Sequence, residues 1–377
     1  MNHTRAVSTA FAPRGRFRER ILIIGTTPLA HEITHHLENR LLTRQIVIGI
    51  VDDPPAAATG PVHCDLLGSL SDLSRIVDAV QPDRVLIALG ERRRRTPVQV
   101  LVESCVARGI LVEDASEFYE RLTGQLAIES LTPTTLVFSR RFGPSRLQQR
   151  LSRTISLLVA IIGLVLLAPL LALIAVTVKL ESSGPVLFVH TRVGLHGRSF
   201  KLLKFRTMYT ATSPRSEWER DNRDRVTPVG RFLRAFRLDE LPQFVNVIRG
   251  EMNLVGPRPH PASNYELFTL VARNMNELTG GAIGYYTLRS MVRPGITGWA
   301  QVRYRYANDL EEEIQKLRYD LYYVKHVSTA LDLRIVFETI LVMVKGHPAV
   351  GSRSSRQEVE RPAAVPLTAP VNRTQAA

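Results

Sequence analysis

The sequence predicts an α/β protein: a parallel-sheet module first, then a re-entrant membrane helix and a mainly helical second unit with interfacial helices. Short β-rich runs alternate with helical stretches over residues 19–114. An uncharged apolar run fills residues 155–178, and beyond it lie Arg- and Lys-rich turns and helices with apolar stripes.

Residues 1–18 are basic without an apolar core, so they read as a disordered N-terminus and not as a secretory signal. From Arg20 the order is strand (ILIIG), helix (Pro28 to Asn39), strand (QIVIGIVDD), a Pro/Ala-rich loop, helix (Leu70 to Val80), strand (RVLIALG), helix (Val98 to Arg108) and strand (ILVED). Strands separated by crossover helices build a parallel sheet, which makes residues 19–114 a Rossmann-like module. Gly25 follows the first strand and Asp52 closes the next, as in dinucleotide sites. The turn reads GTTPLA, however, and lacks the glycines that let a pyrophosphate approach, so a structural or regulatory module is expected ahead of a nucleotide site. His31 and His35 lie one turn apart, a spacing that metal sites use; with no third ligand in view, a solvated face is expected. The run ERRRRT from Glu91 reads as a solvated loop, with phosphate or anionic lipid as the alternative.

Residues 115–150 read as a connector ending in a basic juxtamembrane stretch, and residues 151–180 as the membrane segment. A helix of that length reaches across a bilayer. Arg140, Arg141, Arg146, Arg150 and Arg153 precede it; Lys179, Arg192, Arg198, Lys201, Lys204 and Arg206 follow. Positive flanks favour the cytoplasm, and here both flanks are positive. Pro169 near the middle removes a backbone donor. The expectation is a helix-break-helix that dips in and returns to the cytoplasmic face, with a Pro-kinked spanning helix as the alternative.

Residues 181–348 form the second unit, and 349–377 a low-complexity, disordered tail. The helix from Leu310 carries Ile314, Leu317, Leu321 and Val324 in one apolar stripe. The last helix, Leu331 to Lys345, suits either the membrane interface or the core. The formal charge of +14 asks for an anionic partner: nucleic acid, anionic lipid or a phosphorylated small molecule. No recognition motif or cluster of stacking aromatics accompanies the basic runs, so no nucleic acid is expected. Cys64 and Cys105 are the only cysteines, which excludes a disulfide framework and a Cys-rich zinc site.

The chemistry concentrates in RLDELPQFVNVIRGEMNLVGPRP, residues 237–259. Pro242 suits a first helical turn, so a helix is expected to begin near Asp239, with its dipole keeping both acids ionised. Consecutive helical residues point about 100° apart, so Asp239 and Glu240 have different tasks. Either one caps the helix and the other is surface decoration, or one attacks while the other helps hold a metal. Arg231, Arg234, Arg237, Lys204, Arg206 and Arg258, the last between prolines, suit multivalent phosphate recognition. A carboxylate among such cations beside a membrane segment suggests phosphoryl chemistry on a lipid.

At SSGPVLFVHTRVGLHGRSFKLLKFRTM, TPVGRFLRAFRLDELPQFVNVIRGEMNLVGPRP, RPGITGWAQV and KLRYDLYYVKHVSTALDLRIV the chain resembles the bacterial sugar transferases, monotopic polyprenyl-phosphate phosphoglycosyl transferases. YERLTGQLAIES and YYTLRSMVRPGITGWAQVRYRY resemble the exopolysaccharide-priming subgroup, typically undecaprenyl-phosphate glucose phosphotransferases. The resemblance implies transfer of a sugar-1-phosphate from a UDP-sugar to undecaprenyl phosphate, with release of UMP and dependence on Mg²⁺. It implies that Asp239 is the nucleophile, that Glu240 supports the metal or orients the site, and that Lys204, Arg206, Arg234 and Arg258 hold phosphate oxygens. The metal would lie at Asp239 and Glu240. It also implies a re-entrant helix broken at Pro169 and a catalytic domain on the cytoplasmic face of the bacterial inner membrane, in contact with membrane lipid. A homodimer suits so large a cytoplasmic attachment.

Two departures stand out. Some members have Ser-Pro at the break, whereas Ala168 precedes Pro169 here, so no hydroxyl can satisfy a freed carbonyl. Larger members carry several transmembrane helices ahead of the Rossmann-like module, and residues 1–18 hold none. A membrane-anchored nucleotide-sugar sensor or assembly scaffold, using the same site without turnover, is the reading from another class.

Overall fold

The computed structural model describes residues 18–39, 44–53, 64–89, 103–128, 142–210, 224–279, 285–304 and 310–345, with the single positions 131 and 136. The run at 91–96, the start of the expected helix at Val98 and the tail from 349 lie outside the described residues.

Glu19–Ile24 (β1) is the central strand of a five-stranded parallel sheet. With Gln45–Val51 (β2), Leu66–Gly68 (β3), Arg84–Ile87 (β4) and Leu111–Asp114 (β5), the order is β3-β2-β1-β4-β5. The short edge strand β3 is an addition to the predicted elements. Ile21 and Ile23 pack into one layer with Pro28–Glu38 (α1), while Leu22 and Ile24 pack into the other with Leu73–Val80 (α2). The strand's period of two therefore fills both faces, which is why β1 reads as a continuous apolar run.

The expected boundary at 114 falls inside this unit. Ala115–Thr123 (α3), capped by Asp114 accepting from Ser116 N at 2.8 Å, puts Ala115, Phe118 and Tyr119 into the α1 layer. The first part of the expected connector is thus a packed helix of the module, because its apolar spacing fits the open sheet face.

Asp52 is buried at the end of β2, where it accepts from Thr26 N at 2.9 Å and from the Thr26 hydroxyl. The carboxylate that a dinucleotide site offers to a ribose is engaged here by the turn itself. His35 is exposed and bonded to Asn39, and no third His, Cys, Asp or Glu joins His31 and His35 among the described residues.

A capping box at Ser145 and Gln148 starts Arg146–Leu166 (α4), earlier than the expected start at 151 because the basic turn is helical too. The chain breaks at Leu167 (φ −92°, ψ 2°) and resumes as Ala168–Glu181 (α5), with Pro169 in its first turn, where a missing N–H is no loss. Among the described residues α4 is the helix long and apolar enough to cross a membrane. Leu158, Ile162, Val165, Leu166, Leu173 and Leu180 are exposed, Leu166 at 72 %.

Both arms rest on the second unit. Before the break, Arg153 donates to Val247 O (2.6 Å) and Met252 O (3.2 Å), Ser156 accepts from Leu254 N (3.0 Å), and Ala160 packs on Phe200 and Leu202. After it, Ile174 and Val178 pack on Phe205 and Leu233.

That unit holds the hairpin Leu187–Val193 (β6) and Ser199–Phe205 (β7), then Pro228–Ala235 (α6) and Gln243–Arg249 (α7). Asn253–Val255 (β8) and Gly295–Thr297 (β9) pair in parallel around Ala262–Thr279 (α8). Trp299–Arg303 (α9), Leu310–His326 (α10) and Thr329–Lys345 (α11) follow. On α10, Ile314, Leu317 and Leu321 pack on Phe268 and Tyr286 as the stripe predicts. On α11, Ile335 is buried while Leu333, Phe337 and Ile340 are exposed, so the helix has a core face and an apolar outer face. The α/β module docks on α10. Arg318 reaches Glu32 at 3.1 Å, Lys325 and His326 meet the buried Glu120 at 2.8 Å, and Trp299 Nε1 donates to Gly124 O at 2.7 Å.

Candidate active site

The acidic pair stands on a backbone irregularity. Arg237 has φ 55° and ψ 23°, a left-handed conformation that costs roughly 1–2 kcal/mol for a residue with a side chain. The chain then makes a 3₁₀ turn, Leu238–Glu240, ahead of α7, whose own start is Pro242. The pair is therefore not in the first turn of the α-helix, and Asp239 caps nothing. The capping alternative falls away because the 3₁₀ turn separates the acids from α7.

The two carboxylates face different partners, as the angle between adjacent residues requires. Asp239 is 8 % exposed, and no hydrogen-bond donor among the described residues reaches it. Burial, reinforced by Glu240, pushes its pKa up to about 6, against the pull of Lys204, Arg234 and Arg258. Desolvation lifts Asp239 above an ordinary carboxylate, yet a group that titrates near 6 is still ionised at neutral pH. Burial would raise Glu240 too, but Arg258 and Arg237 outweigh it and hold its carboxyl below the usual range. Arg258 Nη1 donates to Glu240 Oε1 at 3.1 Å, and Arg237 lies at 3.8 Å.

Lys204 projects from β7 directly opposite Phe188, with its ammonium 5.1 Å from the ring centre. Burial brings its pKa down to about 8, partly offset by Asp239. Its strand is pinned to α7 by Asn246, which is fully buried. Asn246 accepts from Leu203 N (3.0 Å) and donates to Lys201 O (2.7 Å) and Glu251 (2.6 Å). Arg234 donates from Nε to Thr207 Oγ1 at 2.9 Å. That approach needs Gly230, where a Cβ would lie 2.2 Å from Thr207 O. The Pro-Arg-Pro loop is set by another close approach: a Cβ on Gly256 would lie 2.3 Å from Arg293 O, so VGPRP and RPGITGWAQV lie backbone on backbone.

Arg206 differs from its expected role as a phosphate ligand. It is buried and donates to Val178 O (3.2 Å), Ser182 O (2.7 Å), Ser182 Oγ (3.0 Å) and Ser183 O (3.1 Å). The guanidinium closes the C-terminus of α5, where carbonyls lack partners and a cation is favoured. Pro169 lies at the helix break, in the first turn of α5.

The structure thus brings Asp239, Glu240, Lys204, Arg234 and Arg258 into one electrostatic cluster and assigns Arg206 to the C-terminus of α5. Sequence reasoning missed Asn246, Arg289 and Asp320. A lone Asn inside the apolar run FVNVI was the available signal for Asn246. No local pattern marked the others.

Adjacent carboxylates are hard oxygen donors. Mg²⁺ is commonly held by one or two of these together with substrate phosphates. A buried Asp239 without a donor fits such an ion, and no group of three or more His, Cys, Asp or Glu forms a fuller cage among the described residues.

The family model for bacterial sugar transferases matches residues 147–346. The chain is 36 % identical over 272 residues to a UDP-N-acetylgalactosamine-undecaprenyl-phosphate N-acetylgalactosaminephosphotransferase of Aeromonas hydrophila, covering 72 % of this chain and 61 % of that one. It is 35 % identical over 301 residues to the UDP-glucose:undecaprenyl-phosphate glucose-1-phosphate transferase of Escherichia coli (strain K12), covering 78 % and 61 %. It is 31 % identical over 334 residues to an undecaprenyl-phosphate glucose phosphotransferase of Komagataeibacter xylinus, covering 86 % and 59 %. The chain therefore spans about three fifths of the length of these relatives.

Proposed function

The chain belongs to the bacterial sugar transferase family, and from that premise we propose that it moves a sugar-1-phosphate from a UDP-sugar to undecaprenyl phosphate, priming an exopolysaccharide or another lipid-linked glycan. In the first step an Asp239 carboxylate oxygen bonds to the phosphorus that carries the sugar, and the bond from that phosphorus to UMP breaks. In the second, a phosphate oxygen of undecaprenyl phosphate bonds to the same phosphorus and the bond to Asp239 breaks, restoring the enzyme. A covalent intermediate divides one difficult transfer into two easier ones.

The observation that carries this reading is Asp239 itself. It is a buried carboxylate without a donor among the described residues, within the field of Lys204, Arg234 and Arg258. Its lone pairs are available to a phosphorus centre, while Glu240 is engaged by Arg258 and Arg237. Lys204, Arg234 and Arg258 would hold phosphate oxygens and receive the charge that grows on the departing UMP. Mg²⁺, held by Asp239 and Glu240, would neutralise diphosphate charge and orient the donor.

The setting suits a lipid acceptor. Both α4 and α5 rest on the unit that carries the site, and their outer residues are apolar and exposed. This supports a segment that enters the inner membrane and returns, with the catalytic unit on the cytoplasmic face. The named relatives differ in donor, N-acetylgalactosamine or glucose, at nearly equal identity. The donor proposed is accordingly a UDP-hexose or a UDP-N-acetylhexosamine.

The test is UMP release from a panel of UDP-sugars with undecaprenyl phosphate and Mg²⁺, comparing wild type with Asp239→Asn. Omitting the acceptor should leave the phosphosugar on Asp239, detected as an added intact mass. Release by wild type that is lost in the variant supports the reaction. Release that survives removes Asp239 as nucleophile, and no release from any donor favours the sensor or scaffold.

A further inference from the structure

We propose that Arg289, oriented by Asp320, is a positioning residue for Arg258 and thereby sets the geometry of the donor-phosphate site. The proposal rests on the reading of Arg258 given above. It starts from a problem in the loop Pro257–His260. Two of its four residues are prolines, so the loop has few N–H groups with which to be anchored. It is held instead by its carbonyls. Arg258 O accepts from Arg289 Nη2 at 3.0 Å, Pro259 O from Arg192 Nη1 at 3.4 Å, and His260 O from Val193 N at 3.0 Å.

Arg289 holds the loop a second time. Its Nη1 lies 2.8 Å from His260 Nδ1 and donates to the Tyr286 hydroxyl at 2.9 Å. A guanidinium only donates, so Nδ1 is the acceptor, and the His260 proton sits on Nε2, facing Glu313 at 3.6 Å. Burial, with Arg289 next, drives the His260 pKa well below its ordinary value, which keeps the ring in that neutral form.

The guanidinium is itself fixed from behind. Arg289 and Asp320 are both buried, and Nη2 meets Asp320 Oδ2 at 2.6 Å. A buried ion pair is weak evidence for stability, because its desolvation can cancel its attraction. What the pair supplies is direction. With Asp320 on one side, the planar fork presents Nη2 to the Arg258 carbonyl and Nη1 to His260, and a lysine ammonium could not span both. The side chain that emerges between these anchors is that of Arg258, which grips Glu240.

The test uses Arg289→Lys, which keeps the charge facing Asp320, in the full chain in lipid. Asp320→Asn, which keeps side-chain volume, is the second variant if Arg289→Lys fails to fold. Two readouts are taken. In an experimental structure of the variant, the Arg258–Glu240 contact should be lost; a retained contact in the folded variant overturns the proposal. In UMP release, Arg289→Lys should lower kcat/KM by roughly 10- to 100-fold, and nearly all of that loss should vanish in an Arg258→Ala background. A loss of full size in that background overturns the proposal, since a merely structural role adds to Arg258→Ala instead of merging with it. A wild type that releases no UMP would defeat the proposed reaction alone, and the Arg258–Glu240 geometry would still decide this inference.

Discussion

Arg258 grips Glu240 across 3.1 Å, whereas no described donor reaches Asp239, the next residue along the chain. Adjacent acids thus end up in opposite states, one pulled below the carboxylate range and one raised to about 6. A structural acid would have been satisfied. Asp239 carries an electrostatic cost that suits a group reserved for a reaction.

Asp239→Asn should therefore abolish turnover and stabilise the fold together. Losing the nucleophile should lower the rate on the order of 10³-fold or more. A folded-state pKa above the ordinary value means that ionisation opposes folding at neutral pH. Removing the charge should add roughly 3 kcal/mol, by the energy of a pKa shift of this size. Thermal unfolding at pH 7.5 checks this; a variant less stable than wild type would contradict it.

Activity should peak between the two displaced pKa values. The rate rises with pH through about 6, as Asp239 ionises, and falls above about 8, as Lys204 loses its proton. The measurement is kcat/KM for the UDP-sugar from pH 5 to 9. Lys204→Arg should extend the alkaline limb, because a guanidinium does not titrate there. An alkaline limb unmoved by that substitution would take Lys204 out of the profile.

Arg206→Lys should act on stability and not on donor binding. Its four contacts at the end of α5 cannot all be kept by an ammonium, and leaving buried carbonyls unpaired costs about 1–3 kcal/mol each. A lowered melting temperature with a donor KM within about twofold of wild type is expected. A large rise in KM at unchanged stability would return Arg206 to the phosphate site.

Glu120→Gln should loosen the α/β module from α10. Its carboxylate takes Lys325 at 2.8 Å and 2.9 Å and His326 at 2.8 Å, while itself buried. With Lys325 and His326 partly exposed, the loss should be about 1–3 kcal/mol, below that of a fully buried pair. Faster hydrogen exchange in Ala115–Thr123 and Leu310–His326 would report it. Unchanged protection there would mean that the docking rests on Trp299 and Arg318.

For the apolar segment of α4 and α5, a re-entrant path predicts that Glu117→Cys and Arg198→Cys, both at exposed positions, label from the same side. Labelling of inverted and right-side-out vesicles with an impermeant maleimide distinguishes this from a crossing, which puts them on opposite sides.

The sequence by itself determined whatever depends on short range. Apolar runs alternating with helical stretches marked β1, α1, α2, β4 and β5, and helical spacing marked the α10 stripe; Pro169 marked the break; Asp-Glu and Pro-Arg-Pro marked the candidate site. Such features follow from local dihedrals and from which face a residue presents. The boundary at 114 failed because α3 has no sheet of its own, and only the open face beside β1 gives it one. The tertiary structure alone decided which arginines stand around Asp239 and Glu240. A surplus of positive charge reads as one property in a sequence, but Arg153 and Arg206 spend theirs on main-chain carbonyls of α7 and α5, and Arg289 on Asp320 and the Arg258 carbonyl. Whether a guanidinium meets a carbonyl, a carboxylate or a substrate depends on contacts between residues far apart in the chain. The same holds for Asp239 and Glu240. Their identities were plain, but desolvation and the positions of Lys204, Arg237 and Arg258 separate an acid raised to about 6 from a gripped one.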